Sequence, residues 1–246
     1  MKSVVGKLRV FSSSLLSNCE LRISTTATAA NSSAALTEDE VEQINAVIPR
    51  LCSSNHLKDA INLISAALST ANPPLKSLPL SSLINRLALE PDLTYPMHFL
   101  NALKYNPSSG NPIVLIPIAK MFASIFFKMD RPHKALKIFQ WVSRPDFPGG
   151  VAMDLEFYAV LIDGFCKNGM ILDALRVLRV MSSENLVVGS GVRNWVYRGL
   201  LRDARVGEAL ELKAALDSCT LGSDDGAFCR SEVVDLLDRM ISNWVE

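Results

Sequence analysis

Little in this 246-residue sequence invites chemistry. Three histidines, His56, His98 and His133, accompany five cysteines, Cys19, Cys52, Cys166, Cys219 and Cys229, with no Cys-x-x-Cys pair among them. Zinc needs clustered ligands at short spacings, so no metal site is readable. A scattered, odd set of cysteines suits a reducing compartment, where thiols pack as small hydrophobes. An excess of one charge is also missing, since 25 basic and 25 acidic side chains cancel. That balance excludes the strongly basic class of nucleic-acid binders. The longest apolar stretch, Ile113 to Phe127, is interrupted by Pro117 and Lys120 and falls short of the roughly 20 residues that span a bilayer. It reads as a buried helix, and no membrane span is expected.

The parts of an active site are absent in the same way. Gly189-Ser190-Gly191 lacks the following Gly-Lys-Ser/Thr of a phosphate loop and reads as a turn. Asp163 and the pair Asp224-Asp225 have no base or second carboxylate at a useful spacing, and no nucleophile stands with its base. A His-x-Glu with Cys-x-x-Cys, which a zinc deaminase requires, is missing too. The expectation is a non-enzymatic protein with no cofactor, no metal and no small-molecule substrate.

Residues 1–35 have a different composition from the rest. Lys2, Lys7, Arg9 and Arg22 stand against a lone Glu20 amid many Ser, Thr and Ala residues, and Val4, Leu8, Phe11 and Leu15 follow the spacing of a weak amphipathic helix. No apolar run of secretory length occurs there, so an organellar presequence is expected, mitochondrial in preference to chloroplast. Without it the chain keeps 21 basic and 24 acidic residues. The remaining protein is mildly acidic, and any binding of nucleic acid falls to a local face.

What the chain does have is a recurring pattern. In FYAVLIDGFCKNGMILDALRVLRVM, residues 157–181, Phe157, Tyr158, Val160, Leu161 and Phe165 form a helix-period stripe that Asn168-Gly169 stops. A second stripe follows at once, Ile171, Ala174, Leu175, Leu178 and Met181, with Asp173, Arg176 and Arg179 largely off that face. The unit is an antiparallel helix pair of about 35 residues, the length at which helical repeats stack. Its Ala174-Leu175 returns as Ala209-Leu210, 35 residues later, and stands 39 residues after Ala135-Leu136. Upstream, Ala60-Ile61 and Ala102-Leu103 occupy similar contexts at spacings of 42 and 33. A small residue at each crossing lets two helices approach to about 8–10 Å.

The pattern predicts an all-α fold in three parts: 1–35 as presequence, 36–115 as two degenerate repeats, and 116–246 as three repeats with a terminal capping helix. Thr37 to Glu40 forms a capping box at which the folded part begins. Val233, Leu236, Leu237 and Met240 share one face of a last helix, expected to cover the apolar end of the final repeat.

Residues Tyr158 to Met181 resemble a pentatricopeptide repeat of the plant organellar type, and RGLLRDARVGEALEL and KMDRPHKALKIF resemble weaker copies of its middle. The tetratricopeptide repeat fits less well, because its tryptophan and Leu-Gly-rich first helix is missing. The resemblance implies a right-handed α-solenoid of antiparallel pairs, about four to five repeats long, in a plant mitochondrion or chloroplast. It implies binding of single-stranded RNA and a part in transcript processing, stability, splicing or translation.

In that family one base is read per repeat, by the residue after the first-helix tyrosine and by the last residue of the repeat. Carried over, these are Lys120 with Gly150, Ala159 with Gly189, and Asn194 with Asp224. Only the last pair matches the family, with an implied preference for uracil, and there Arg193 replaces the tyrosine. Arg198, Arg202 and Arg205, at i, i+4 and i+7, form a candidate phosphate-contacting ridge. Trp141, Trp195 and Trp244 are candidate stacking residues, although large aromatics in helical repeats are usually core. The alternative partner is another protein, with the helical surface as a scaffold in an organellar ribosome or a respiratory assembly.

Overall fold

The computed structural model describes residues 35–70, 73–105, 112–148, 154–184, 186–219 and 226–244. The presequence assignment, Asp224 and Gly150 lie outside them. Among the described residues there are eleven helices and no strand. The chain divides into two compact units, Met1–Leu115 and Ile116–Glu246.

In the first unit α1 (Glu38–Ser53) and α2 (Leu57–Leu68) form one hairpin, and α3 (Leu80–Leu89) and α4 (Thr94–Lys104) the next. First helix packs on first helix and second on second, α1 on α3 and α2 on α4. The capping box opens α1 as expected: Thr37 Oγ1 accepts from the Glu40 amide at 3.3 Å, and Glu40 Oε2 accepts from the Thr37 amide at 3.0 Å. The apolar face of α1, Ile44, Ile48 and Leu51, is buried against this stack.

The second unit carries most of α5 (Pro112–Lys128), then α6 (Pro132–Val142), α7 (Leu155–Lys167), α8 (Ile171–Ser183), α9 (Ser190–Arg202), α10 (Val206–Ser218) and α11 (Gly226–Ser242). Helices α7 and α8 pair, α9 and α10 pair, and α9 stacks on α7. Every residue of the stripe read in α8 is buried, Ile171, Ala174, Leu175, Leu178 and Met181. Asp173 departs from expectation: it is buried rather than off the face, with its carboxylate bound by Arg176 at 2.9 Å.

One turn recurs in four hairpins. Asn55, Asp130, Gly169 and Ala204 all have positive φ, at 62°, 56°, 72° and 59°, and each lies two residues before the second helix of its pair. The next amide closes the motif each time by donating to the carbonyl five residues back, His56 to Leu51, Arg131 to Phe126, Met170 to Phe165 and Arg205 to Leu200. This is the Schellman geometry, which needs one left-handed residue after the helix end. The four crossing alanines follow at a fixed offset, Ala60, Ala135, Ala174 and Ala209, each no more than 1% exposed.

Left-handed backbone suits Gly and strains Ala. Nothing lies within 4 Å of a Cβ built on Gly169, so Gly169→Ala tests the backbone alone. It is expected to cost about 1 kcal/mol, and Ala204→Gly to stabilise by up to about 1 kcal/mol. Urea unfolding of the two variants, with midpoints moving in opposite directions, checks the pair.

Two expectations change. Ala102 is not a crossing alanine: it sits half-buried near the end of α4, and the α3–α4 connection has no positive-φ residue. There Asp92 Oδ1 accepts from the Thr94 amide at 2.9 Å, so a different turn sets a different register. The terminal helix α11 does bury Val233, Leu236, Leu237 and Met240, but it packs on α8 of the preceding pair as well as on α10. Arg179 of α8 and Asp238 of α11 hold that reach with two hydrogen bonds, of 2.9 and 3.1 Å.

Candidate nucleic-acid interface

The repeated turn gives a structural register for the first helices. Ten residues before each left-handed position stand Lys120 in α5, Ala159 in α7 and Asn194 in α9, which are the positions named from the sequence. Asn194 is exposed, and its side chain has no partner among the described residues. Ala159 offers only a methyl group. Lys120 is committed elsewhere, since its Nζ lies 2.6 Å from Glu156 and 3.4 Å from Asp154 at the start of α7. Partial burial of Lys120 opposes its charge, yet the hydrogen bonds and charges of those two carboxylates outweigh it and hold the pKa above the usual lysine value.

Arg193 keeps a structural task of the tyrosine it replaces. In α7 the Tyr158 hydroxyl donates to Glu184 at the end of α8, at 2.8 Å. Burial, followed by the hydrogen bond and charge of Glu184, raises the Tyr158 pKa well above normal, so the ring stays protonated. In the next pair Arg193 reaches Asp217 in the last turn of α10, also at 2.8 Å. Both contacts tie the first helix to the end of the second.

The arginine ridge does not form as one face. Arg198 is exposed and its side chain has no partner among the described residues. Arg202 Nη1 donates to the Cys166 carbonyl at 3.2 Å. Arg205 lies beyond α9, in the turn, where it pairs with Glu208 at 3.0 Å and stacks on the Trp244 ring at 3.8 Å. The sequence spacing was right for a continuous helix, but the positive φ at Ala204 ends it before Arg205.

A different basic row, which shares only Arg202 with that ridge, was missed. Lys128, Lys167 and Arg202 each stand two residues before the left-handed position, in the last turn of α5, α7 and α9. Cations there also oppose the negative end of the helix dipole. Lys128 and Lys167 are exposed, and Lys167 pairs with Asp163 at 2.6 Å. Alignment on the turn, rather than on arginines alone, would have found them. The same register places Asn45 in α1 of the first unit, where its Nδ2 donates to the Ser77 carbonyl at 3.0 Å.

The aromatics are mainly structural. Trp141 is buried against Phe147, Trp195 is half-buried, and Trp244 holds Arg205. Cys166 is buried, and that burial, with the negative charge of Asp163, pushes its thiol up to about 12 against the opposing charge of Arg202. Cys219 is disulfide-bonded, contrary to the all-thiol expectation, while Cys52 and Cys166 are free. No group of His, Cys, Asp and Glu side chains among the described residues is arranged to hold a metal. None of the described helices is long and apolar enough to cross a membrane.

Helix pairs joined by one recurring turn, with equivalent residues at equivalent stations, define an α-helical repeat protein. Residues 149–182 match the family model of the PPR repeat, the pentatricopeptide repeat that Tyr158 to Met181 resemble. Residues 149–182 are therefore a PPR repeat, set in a chain whose described residues are helical throughout. Compared with curated proteins, the chain matches none.

Proposed function

We propose that the chain is a non-enzymatic RNA-binding repeat protein of an organelle, the mitochondrion ahead of the chloroplast, that assists the processing, stability or translation of transcripts. The PPR repeat at 149–182 carries this reading. The exposed Asn194 supplies a base-edge donor and acceptor, and Arg198, Arg202 and Lys128 supply local positive charge in a near-neutral chain. With Asp224, Asn194 would favour uracil.

Single-stranded RNA binding releases counterions, with log K falling against log salt by about 0.7 per phosphate neutralised. Titration of the full chain with oligouridylate is expected to give a shallow slope, of about 2 to 3, and Arg198→Ala is expected to lower it by about 0.7. Asn194→Ala should remove any preference for oligouridylate over oligoadenylate. Absence of binding at low salt would count decisively against RNA as the ligand.

The second reading, a scaffold within a larger assembly such as an organellar ribosome or respiratory complex, is favoured by one observation. Lys120 is locked in ion pairs with Asp154 and Glu156 instead of facing a base. A partner that survives RNase treatment would support it.

A further inference from the structure

Helix α10 is apolar on two faces. Ala209, Leu212 and Leu216 are buried under α9 and α11, while Val206, Leu210 and Ala214 form a second row at i, i+4 and i+8 that is exposed. A surface helix ordinarily turns a polar face to water, so an apolar row opposite the core marks a contact yet to be made.

The repeat shows what kind of contact. Thirty-five residues earlier, Ile171 and Leu175 occupy the stations of Val206 and Leu210, and Cys166 that of Leu201. Those three are 1%, 0% and 3% exposed, whereas Val206, Leu210 and Leu201 are 52%, 55% and 37% exposed. In the inner pair the face is closed by α9, whose Gly199 comes so near that a built Cβ would lie 2.6 Å from Ile171 Cδ1, and by α11. The last pair presents the same stacking surface, and none of the described residues covers it.

We propose that this face is a self-association surface, on which α10 of a second copy lies antiparallel about a two-fold axis at Leu210. The row is its own complement in that arrangement. Leu210 meets Leu210 of the second copy, and Val206 meets Ala214. A row spaced by four residues packs into an identical row at a crossing angle near −50°. Gly207, with open space around a built Cβ, and Ala214 leave room for close approach at the crossing. The flanks carry both signs, with Lys213 over the Tyr197 ring at 5.3 Å and Glu211 paired with Arg239. An isologous two-fold contact is the commonest way for one patch to meet itself.

Three large exposed side chains cover less than the standard interface of about 1,600 Å² in total. The dimer is accordingly weak and concentration-dependent, and it would join two repeat arrays into one bivalent binder.

Sedimentation velocity of the full chain, from micromolar to submillimolar concentration, is the test. The expected result is a monomer–dimer equilibrium that Leu210→Glu weakens about tenfold or more, with an unchanged circular dichroism spectrum because Leu210 is exposed in the monomer. Leu210→Cys should give a disulfide-linked dimer under mild oxidation, well above the parent chain and above Ser218→Cys, which lies away from the axis. A monomer throughout that range would overturn the proposal, as would a dimer indifferent to Leu210→Glu or equal cross-linking of the two cysteine variants.

Discussion

Phe165→Ala is expected to lower stability by about 3–5 kcal/mol, the range for emptying a fully buried aromatic site. Phe165 is 0% exposed, and its ring meets Phe127 edge to face at 5.1 Å between centroids. Its backbone carbonyl also accepts from the Met170 amide at 3.0 Å in the Schellman turn, but Ala leaves that bond intact. The loss is therefore side-chain packing between α5 and α7, plus the residual cavity. Urea unfolding should show a lower midpoint, and Leu155→Ala, at a half-exposed position on the same helix, should barely move it. Equal shifts for the two would mean that the α5–α7 contact does not organise this unit.

The second large effect has the opposite steric sense. Gly164→Ala in an exposed helix would gain about 1 kcal/mol of helix propensity. Here a built Cβ lands 2.4 Å from two atoms of the Phe127 ring and 2.6 Å from its Cγ. The ring is anchored against Phe165 and cannot simply swing aside, so the net expectation is a loss of about 1–3 kcal/mol through overpacking. Combining Gly164→Ala with Phe127→Leu should recover about 1 kcal/mol relative to additivity. Gly199, the same station one repeat on, provides the control. Its built Cβ meets Ile171 Cδ1 at 2.6 Å, and that flexible tip can rotate away, so Gly199→Ala should cost less.

The two glycines show why some positions were opaque in the sequence. Asp163-Gly164 invited a test for acid–base chemistry, whereas the requirement there is space for a ring contributed by another helix. A glycine reports that something comes close without saying what. The turn glycine was legible, because Asn168-Gly169 directly after an apolar stripe is a local stop signal. Its equivalents Asn55, Asp130 and Ala204 adopt the same backbone, and Ala204 has no compositional mark at all. Aligning the repeats on alanine recovered four true crossings, and it misplaced Ala102, where the turn differs.

The candidate site was legible to a smaller extent. Lys120, Ala159 and Asn194 do share one station, as the repeat required. The arginines did not keep the shared role read for them. Arg202 donates to a neutral carbonyl and keeps its charge, Arg205 pairs with Glu208 and stacks on Trp244, and Arg198 is exposed.

The sequence by itself determined the α7–α8 pair with its turn, the start of α1 and the small residues shared by four hairpins, because each depends on periodicity and capping within a few residues. Tertiary structure decided which charges are spent and which apolar faces are covered. Lys120 finds Glu156 across 36 residues and Arg179 finds Asp238 across 59, distances over which no local pattern carries information. The fold-back of α11 onto α8, and with it the exposed row on α10, follows from packing choices of that kind. A helix's apolar stripe says that it will be buried, and only the assembled chain says against what.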